Sequence, residues 1–281
     1  MKHFKKLSEY GFQTQNRTYV IAEIGINHGG DIEIAKQLIE SASRTGIDAV
    51  KFQTYKAEKR APEGKMDIFE LLKQCELPFE AFAELKNFTE NCEIDFFSTP
   101  FDSESVSFLE TIDCSMYKLA SFDVVNRSLI KRVAKTGKSV IMSVGMSTLL
   151  EIEKAYDILM SGTNGIAILH CISAYPTEIS DANLSGIYVL QEKFDCVIGQ
   201  SDHTKGIKVP LYAVAAGAQI IEKHFMINEN MQCVDSAVSI TESQMAELVK
   251  RIREIESIFG GGKLGMSDNQ QEAKLFRRHT F

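Results

Sequence analysis

Short apolar runs rich in strand-forming residues recur along the chain, and each is followed by a longer stretch with helical periodicity or helix-forming composition. Eight runs are counted, at 19–24, 49–53, 94–98, 116–119, 139–143, 166–171, 197–201 and 220–224. Helices are expected between them at 31–45, 78–91, 103–112, 127–136, 147–160 and 206–216, with a last one over 242–259. Strand–helix alternation repeated eight times predicts parallel strands, and the count fits a closed (β/α)₈ TIM barrel better than an open doubly wound sheet. No Pro- or Ser-rich linker breaks the series, so one barrel domain is expected over 17–260. An N-terminal extension at 1–16 would lie over the barrel's bottom. Gly260-Gly261-Gly262 ends the last helix and opens a polar C-terminal tail, 261–281.

The polar positions carry the next step. Active sites of such barrels are built from the C-terminal ends of the strands and the loops after them, and here nearly every run ends in polar chemistry. The first brings Glu23 and leads to Asn27-His28, the second gives Lys51 and Gln53, and the third ends at Ser98-Thr99. The fourth gives Lys118, Ser121 and Asp123, the fifth Ser143, and the sixth His170 and Tyr175. The last two end in Ser201-Asp202-His203 and Glu222-Lys223-His224.

Composition narrows the function class. The 281 residues are 44% hydrophobic and 25% charged, an ordinary globular balance, and the net charge of −7 argues against a nucleic-acid groove or a polybasic membrane surface. The longest apolar runs fall far short of the roughly 20 residues that span a bilayer. The basic N-terminus lacks the apolar stretch of a signal peptide, which predicts a cytoplasmic protein. Six cysteines without CxxC spacing fit free thiols in a reducing compartment.

Lys51 and Lys118, inside predicted strands, are costly to bury unless something anionic meets them. A structural pairing with Glu23 or Asp123 is one reading. The other is an anion pocket: with hydroxyls at Thr99, Ser121, Ser143 and Ser201 converging on the same mouth, two lysines suit a small phosphoester that also carries a carboxylate. His203 and His224 close neighbouring strands, so their imidazoles could meet one divalent cation, leaving open positions for water or substrate. His28 and His170 receive no ligand role. Glu23, Asp123 and Asp235 are candidate carboxylates for proton transfer or for hydroxyl binding on a sugar-like substrate, and spacing does not separate these roles. Gly29-Gly30 before a helix could expose amide donors or simply form a loop–helix cap. No GxGxxG or GxxxxGK[ST] points to a dinucleotide fold or a P-loop.

These segments together resemble the sialic acid synthase family of phosphoenolpyruvate-condensing barrels, which includes N-acetylneuraminate, legionaminate and pseudaminate synthases. The resemblance spans 17–281 and rests on IAEIGINHGGD at 21–31, KFQTY at 51–55, FFSTPFD at 96–102, YKLASFD at 117–123, SVGMST at 143–148, LHCISAYPT at 169–177, GQSDHT at 199–204, IEKHF at 221–225 and the stretch 235–239. It implies a divalent-metal-assisted condensation of phosphoenolpyruvate with the open-chain aldehyde of an amino sugar, of the N-acetylmannosamine kind, to a nonulosonic acid and phosphate. Lys51, Thr99, Lys118, Ser121, Ser143 and Ser201 would hold phosphoenolpyruvate; His203 and His224 would bind Mn²⁺ or Mg²⁺. Glu23, Gln53, Tyr175 and Asp235 would meet the sugar, and Asp123 stands where the family has a carboxylate managing the proton of the attacking water. Glu23, Lys51, Lys118 and Asp123 form the expected catalytic set.

The chain departs from the family pattern in three places. The segment 56–66 is short and lacks the Asn- and Tyr-Gln-containing stretch placed over the sugar, and Ser173 stands at an asparagine position. The sequence also stops at Arg277-Arg278-His279-Thr280-Phe281, where members continue into an antifreeze-like domain whose arginine reaches a neighbouring subunit's sugar. Nothing in 56–66 is expected to replace that arginine. A homodimer is implied, with a separate partner supplying the domain as a further option. A related synthase acting on a different or non-acylated aldose for surface or spore-coat polysaccharide is the alternative activity, and a catalytically silent binding barrel is the alternative of another class.

Overall fold

Eight parallel strands close on themselves in chain order: β1 (Tyr19–Gly25), β2 (Ala49–Thr54), β3 (Asp95–Pro100), β4 (Met116–Leu119), β5 (Ser139–Ser143), β6 (Ile166–Cys171), β7 (Val197–Asp202) and β8 (Ile220–His224), with β8 returning to pair β1. The architecture comes from a computed structural model that describes residues 17–262 and 264–278. The expected extension at 1–16 lies outside the described residues. The closed parallel sheet is the predicted TIM barrel, and its strands differ from the expected runs by no more than two residues at either end.

Around the barrel run α1 (Ile32–Ser43), α2 (Ala57–Arg60), α3 (Met66–Cys75), α4 (Phe79–Asn91), α5 (Ser103–Thr111), α6 (Arg127–Ala134), α7 (Leu149–Met160), α8 (Ser185–Lys193), α9 (Lys208–Ala215) and α10 (Glu242–Phe259). Of these, α2, α3 and α8 are additional to the helices set out from the sequence. Side-chain caps fix several starts: Thr148 with Glu151 opens α7 and Thr241 with Gln244 opens α10, each as a capping box. After α10 the described tail carries two short 3₁₀ turns, Asp268–Gln270 and Ala273–Phe276, with no buried residue.

The helices pack their apolar stripes on the outer face of the barrel; Ile39, Phe82, Val106, Val133, Leu159, Ile187 and Ile252 are all essentially inaccessible. Burial on both faces leaves the strands without an exposed side, which is why their apolar residues run on without strict alternation. Period two still decides which residues meet inside. Glu23, Lys51, Thr99, Lys118, Ser143, Ser201 and Glu222 share the inward phase and line one cavity. Lys223 and Asp202 fall in the opposite phase and form a buried ion pair at 2.6 Å, with the Lys223 ammonium also donating to the Thr204 carbonyl. They brace the outside of the barrel.

The Gly29-Gly30 turn resolves as a cap. Asp31 accepts from the amides of Glu33 and Ile34 and starts α1. Gly30 has φ +85°, and a Cβ there would stand 2.2 Å from the Gln74 carbonyl oxygen, so the turn needs glycine to let α3 approach. Its amide donates to His28 Nδ1 at 3.0 Å, which gives His28 a structural role. His170 likewise serves the scaffold, through Nε2 to the Ala182 carbonyl at 2.9 Å.

Candidate active site

The cavity, about 210 Å³, opens among the C-terminal ends of the strands. Every expected site residue except Asp123 lines it: the two lysines, both metal-candidate histidines, the four hydroxyl residues, Glu23, Gln53, Tyr175 and Asp235. Parallel pairing explains how residues far apart in sequence meet, because the register sets Glu23 opposite both Lys51 and His224, and Ser201 opposite Glu222.

At one part of the wall Lys51 Nζ lies 2.7 Å from Glu23 Oε2, donates to Thr99 Oγ1 at 3.1 Å and stands 3.8 Å from Glu222 Oε2. Lys118 Nζ is 3.5 Å from Glu222 Oε1. Burial lowers the Lys118 pKa and the carboxylate of Glu222 opposes that fall. For Glu222 itself the two lysines and the Ser201 hydroxyl, which donates at 2.8 Å, overcome burial and hold its pKa at about 2. Glu222 is the carboxylate between the two cations, and no role was expected for it; its phase with His224 on β8 is the signal that would have found it. The structural pairing of Lys51 with Glu23 is therefore present, while Lys118 turns to Glu222 and not to Asp123. The hydroxyl of Ser143 is buried without a partner, and Ser121 Oγ accepts from the Gly145 amide at 2.9 Å.

Across the same cavity the His203 and His224 rings lie 5.4 Å apart, and the Tyr175 ring lies tilted against His203 at 4.1 Å. His203 Nδ1 meets the Ile172 carbonyl at 2.8 Å. A carbonyl accepts only, so the proton sits on Nδ1 and the Nε2 lone pair is left open. Burial, with His224 nearby, pushes the His203 pKa down to about 3 and keeps the ring neutral. His224 Nδ1 lies 3.4 Å from Asp235 Oδ2, whose charge outweighs burial and raises the His224 pKa. Asp235 is placed in turn by Asn27, which accepts the Asp235 amide at 2.9 Å while its own amide donates to the Phe225 carbonyl and Ser239 Oγ. Asn27 thus ties the β1 and β8 loops together.

Asp123 stands on the 3₁₀ turn after β4, outside the cavity wall. Its Oδ1 accepts from Asn126 at 2.9 Å, its Oδ2 is buried without a partner, and burial raises its pKa against the pull of Asn126 and Arg60. The turn therefore aims one oxygen of Asp123 at Asn126 and leaves the other buried beside the cavity. The segment after β2 brings in a residue given no role from the sequence. Arg60, the last residue of α2, reaches the cavity and lies over the Phe101 ring at 4.0 Å and the Tyr55 ring at 4.5 Å.

Residues 38–264 match the NeuB family. The chain belongs to the NeuB family. It is 37% identical over 272 residues to the N,N'-diacetyllegionaminic acid synthase of Campylobacter jejuni, covering 91% of this chain and 81% of that protein. It is 44% identical over 247 residues to an uncharacterized protein of Methanocaldococcus jannaschii, covering 88% of this chain and 73% of the relative. The crystal structure of N-acetylneuraminic acid (sialic acid) synthetase from Leptospira borgpetersenii serovar Hardjo-bovis, in complex with citrate, superposes with a TM-score of 0.90 at 39% identity, covering 93% of this chain and 91% of that one. The NeuB chain described here is an enzyme of the sialic acid synthase kind, and the barrel expected for that class is the barrel observed. Among its described residues no helix is long and apolar enough to cross a membrane.

Proposed function

We propose that the protein condenses phosphoenolpyruvate with the open-chain aldehyde of an N-acylated amino sugar, releasing phosphate and a nonulosonic acid. The observation that carries this reading is the meeting, in one cavity, of two buried lysines and the unpartnered Ser143 hydroxyl with two imidazoles whose rings lie 5.4 Å apart. Lys51, Lys118, Thr99, Ser143 and Ser201 would bind the phosphoenolpyruvate charges, while Glu23, Gln53, Tyr175 and Asp235 would orient the acceptor's hydroxyls. Glu23 and Gln53 already share a 2.9 Å hydrogen bond, so an incoming hydroxyl would meet a fixed pair.

His203 and His224 would hold Mn²⁺ or Mg²⁺, with water or substrate oxygens completing the set. His203 is neutral, with its carbonyl partner leaving Nε2 free to ligate. The cavity's charges support the fit as well: Glu23, Glu222 and Asp235 balance Lys51, Arg60 and Lys118, so a multiply charged phosphoester brings negative charge that a divalent cation would offset. When bound, such an ion supplies Lewis-acid polarisation of the aldehyde oxygen. Asp123, with one buried unpartnered oxygen and a pKa that burial raises, would take or hold the proton of the water that enters the reaction. The reaction is assigned to the cytoplasm and to a homodimer as part of this reading.

The test is phosphate release from phosphoenolpyruvate with a panel of aldoses in the presence of Mn²⁺ or Mg²⁺, with the product mass determined. A product heavier than the aldose by the pyruvyl unit supports the proposal. Phosphoenolpyruvate binding without turnover across the panel would favour a silent binding barrel.

A further inference from the structure

Arg60 has no part in the chemistry assigned above, yet it lines the cavity with a buried donor left over. It ends α2, a helix of four residues between Lys56 and Ala61, and lies over the faces of Phe101 and Tyr55. Ring faces hold a planar guanidinium in place without consuming its in-plane N–H groups. Its Nη1 is buried and has no hydrogen-bond partner. Leaving a charged donor in that state is costly unless a ligand completes it.

The surroundings select the ligand. Asp235, Glu23 and Asp123 act on Arg60 electrostatically, and among the described residues none of them closes an ion pair with it. A second phosphate or carboxylate placed here would meet three carboxylates with one guanidinium to hold it, whereas the lysines already offer a cationic pair for the phosphoester. A neutral oxygen acceptor meets no such repulsion and can accept a hydrogen bond from the unpartnered Nη1. Of the neutral acceptors on an N-acylated amino sugar the amide carbonyl is the strongest, and unlike a hydroxyl it brings no donor to spend on the carboxylates.

We propose that Arg60 reads the acyl group of the acceptor, donating from Nη1 to the amide carbonyl, so that this barrel itself selects N-acylated over hydroxyl-bearing aldoses. This deepens the synthase reading and rests on it. It runs against the expectation that the 56–66 segment offers no arginine to the sugar.

The test compares N-acetylmannosamine with mannose, which keeps the aldehyde but carries a hydroxyl in place of the acetamido group, under saturating phosphoenolpyruvate and Mn²⁺. Arg60→Met keeps an apolar stem over the two rings and is expected to lose about tenfold or more in kcat/KM for N-acetylmannosamine, the size of a lost charge-assisted hydrogen bond. Its kcat/KM for mannose and its KM for phosphoenolpyruvate are expected to change by less than about twofold by the same arithmetic. Equal losses with both sugars, or no loss with either, overturn the proposal. Arg60→Lys keeps the charge without the planar fork and guards against a folding defect; it is expected to fall between, and wild-type selectivity in that variant would count against Arg60. If wild-type protein releases phosphate with no aldose, the synthase reading fails on its own. Calorimetric titration with N-acetylmannosamine then judges Arg60 separately: binding weakened about tenfold in Arg60→Met supports it, and equal or absent binding in wild type and variant overturns it.

Discussion

Lys51 on β2 and Glu23 on β1 hold each other at 2.7 Å with both side chains almost fully buried, directly across a parallel strand pair. A pair in this state repays little of its desolvation cost. Its value lies in what it keeps in place: the same ammonium reaches Thr99 and faces Glu222, which also faces Lys118. Two cations and two carboxylates therefore stand interleaved in the cavity, charged and nearly neutral in sum, so an anion can exchange partners there without first entering an unscreened field.

Lys118→Met tests the anion end of that arrangement. The substitution removes a charge-assisted contact from a desolvated site, worth roughly 2 to 4 kcal/mol of phosphoenolpyruvate binding. Steady-state kinetics should show the KM for phosphoenolpyruvate rising steeply while the acceptor KM moves little. A phosphoenolpyruvate KM within about twofold of wild type would place the anion elsewhere.

Glu222→Gln addresses the counter-charge. The amide can still accept from Ser201, but Lys51 and Lys118 then face one another with Glu23 as the remaining partner. Uncompensated buried charge costs on the order of 3 kcal/mol, so the ligand-free protein should melt earlier than wild type. Inorganic phosphate should raise the variant's melting temperature more than the wild type's, because it returns negative charge to the lysines. Identical melting of the two proteins with and without phosphate contradicts this assignment of Glu222.

The eight strands were legible because each is an apolar run bounded by polar ends, and buried parallel strands leave little else for such runs to be. The lysines, hydroxyls and histidines were legible for a related reason: a charged residue inside an apolar run has to face something. Glu222 sits between Ile221 and Lys223 and shows its side only once the inward phase of His224 is applied. The same rule sends Asp202 and Lys223 outward, where they pair with each other and leave the chemistry. Arg60 had no periodic signal at all, since a four-residue helix has no stripe and the contact with Phe101 depends on how the loops after β2 and β3 cross. Asp123 was read by its place in the sequence, and the direction of a 3₁₀ turn is not written in that place.

Chelation tests the histidine pair. Removing divalent ions should abolish phosphate release, with activity restored by Mn²⁺ or Mg²⁺. His203→Ala deletes the ring whose Nε2 is left open by the Ile172 carbonyl, so the concentration of metal that gives half-maximal activity should rise by tenfold or more, on the order of one lost ligand. An unchanged metal requirement in that variant would remove His203 from the ligand set.

The last expectation concerns stability against pH, at a histidine away from the ion pairs of the cavity. His28 is 1% exposed and its Nδ1 accepts the Gly30 amide in the turn that starts α1. Burial lowers its pKa to about 4, against the weaker opposing pull of the Gly25 carbonyl and Asp31. The unfolded chain then holds more protons than the folded one between the folded value and the ordinary value near 6.5. By linkage, stability rises with pH through that window, and acidification from about 6.5 to about 4 withdraws up to roughly 3 kcal/mol through this group alone. His28→Asn keeps an acceptor for the Gly30 amide but cannot titrate. Denaturant unfolding measured between pH 4 and 7 should give the variant a shallower loss of stability toward acid than wild type. Parallel curves would show that His28 takes up its proton in the folded protein as readily as in the unfolded chain, and that the turn before α1 is not the acid-sensitive element proposed for it.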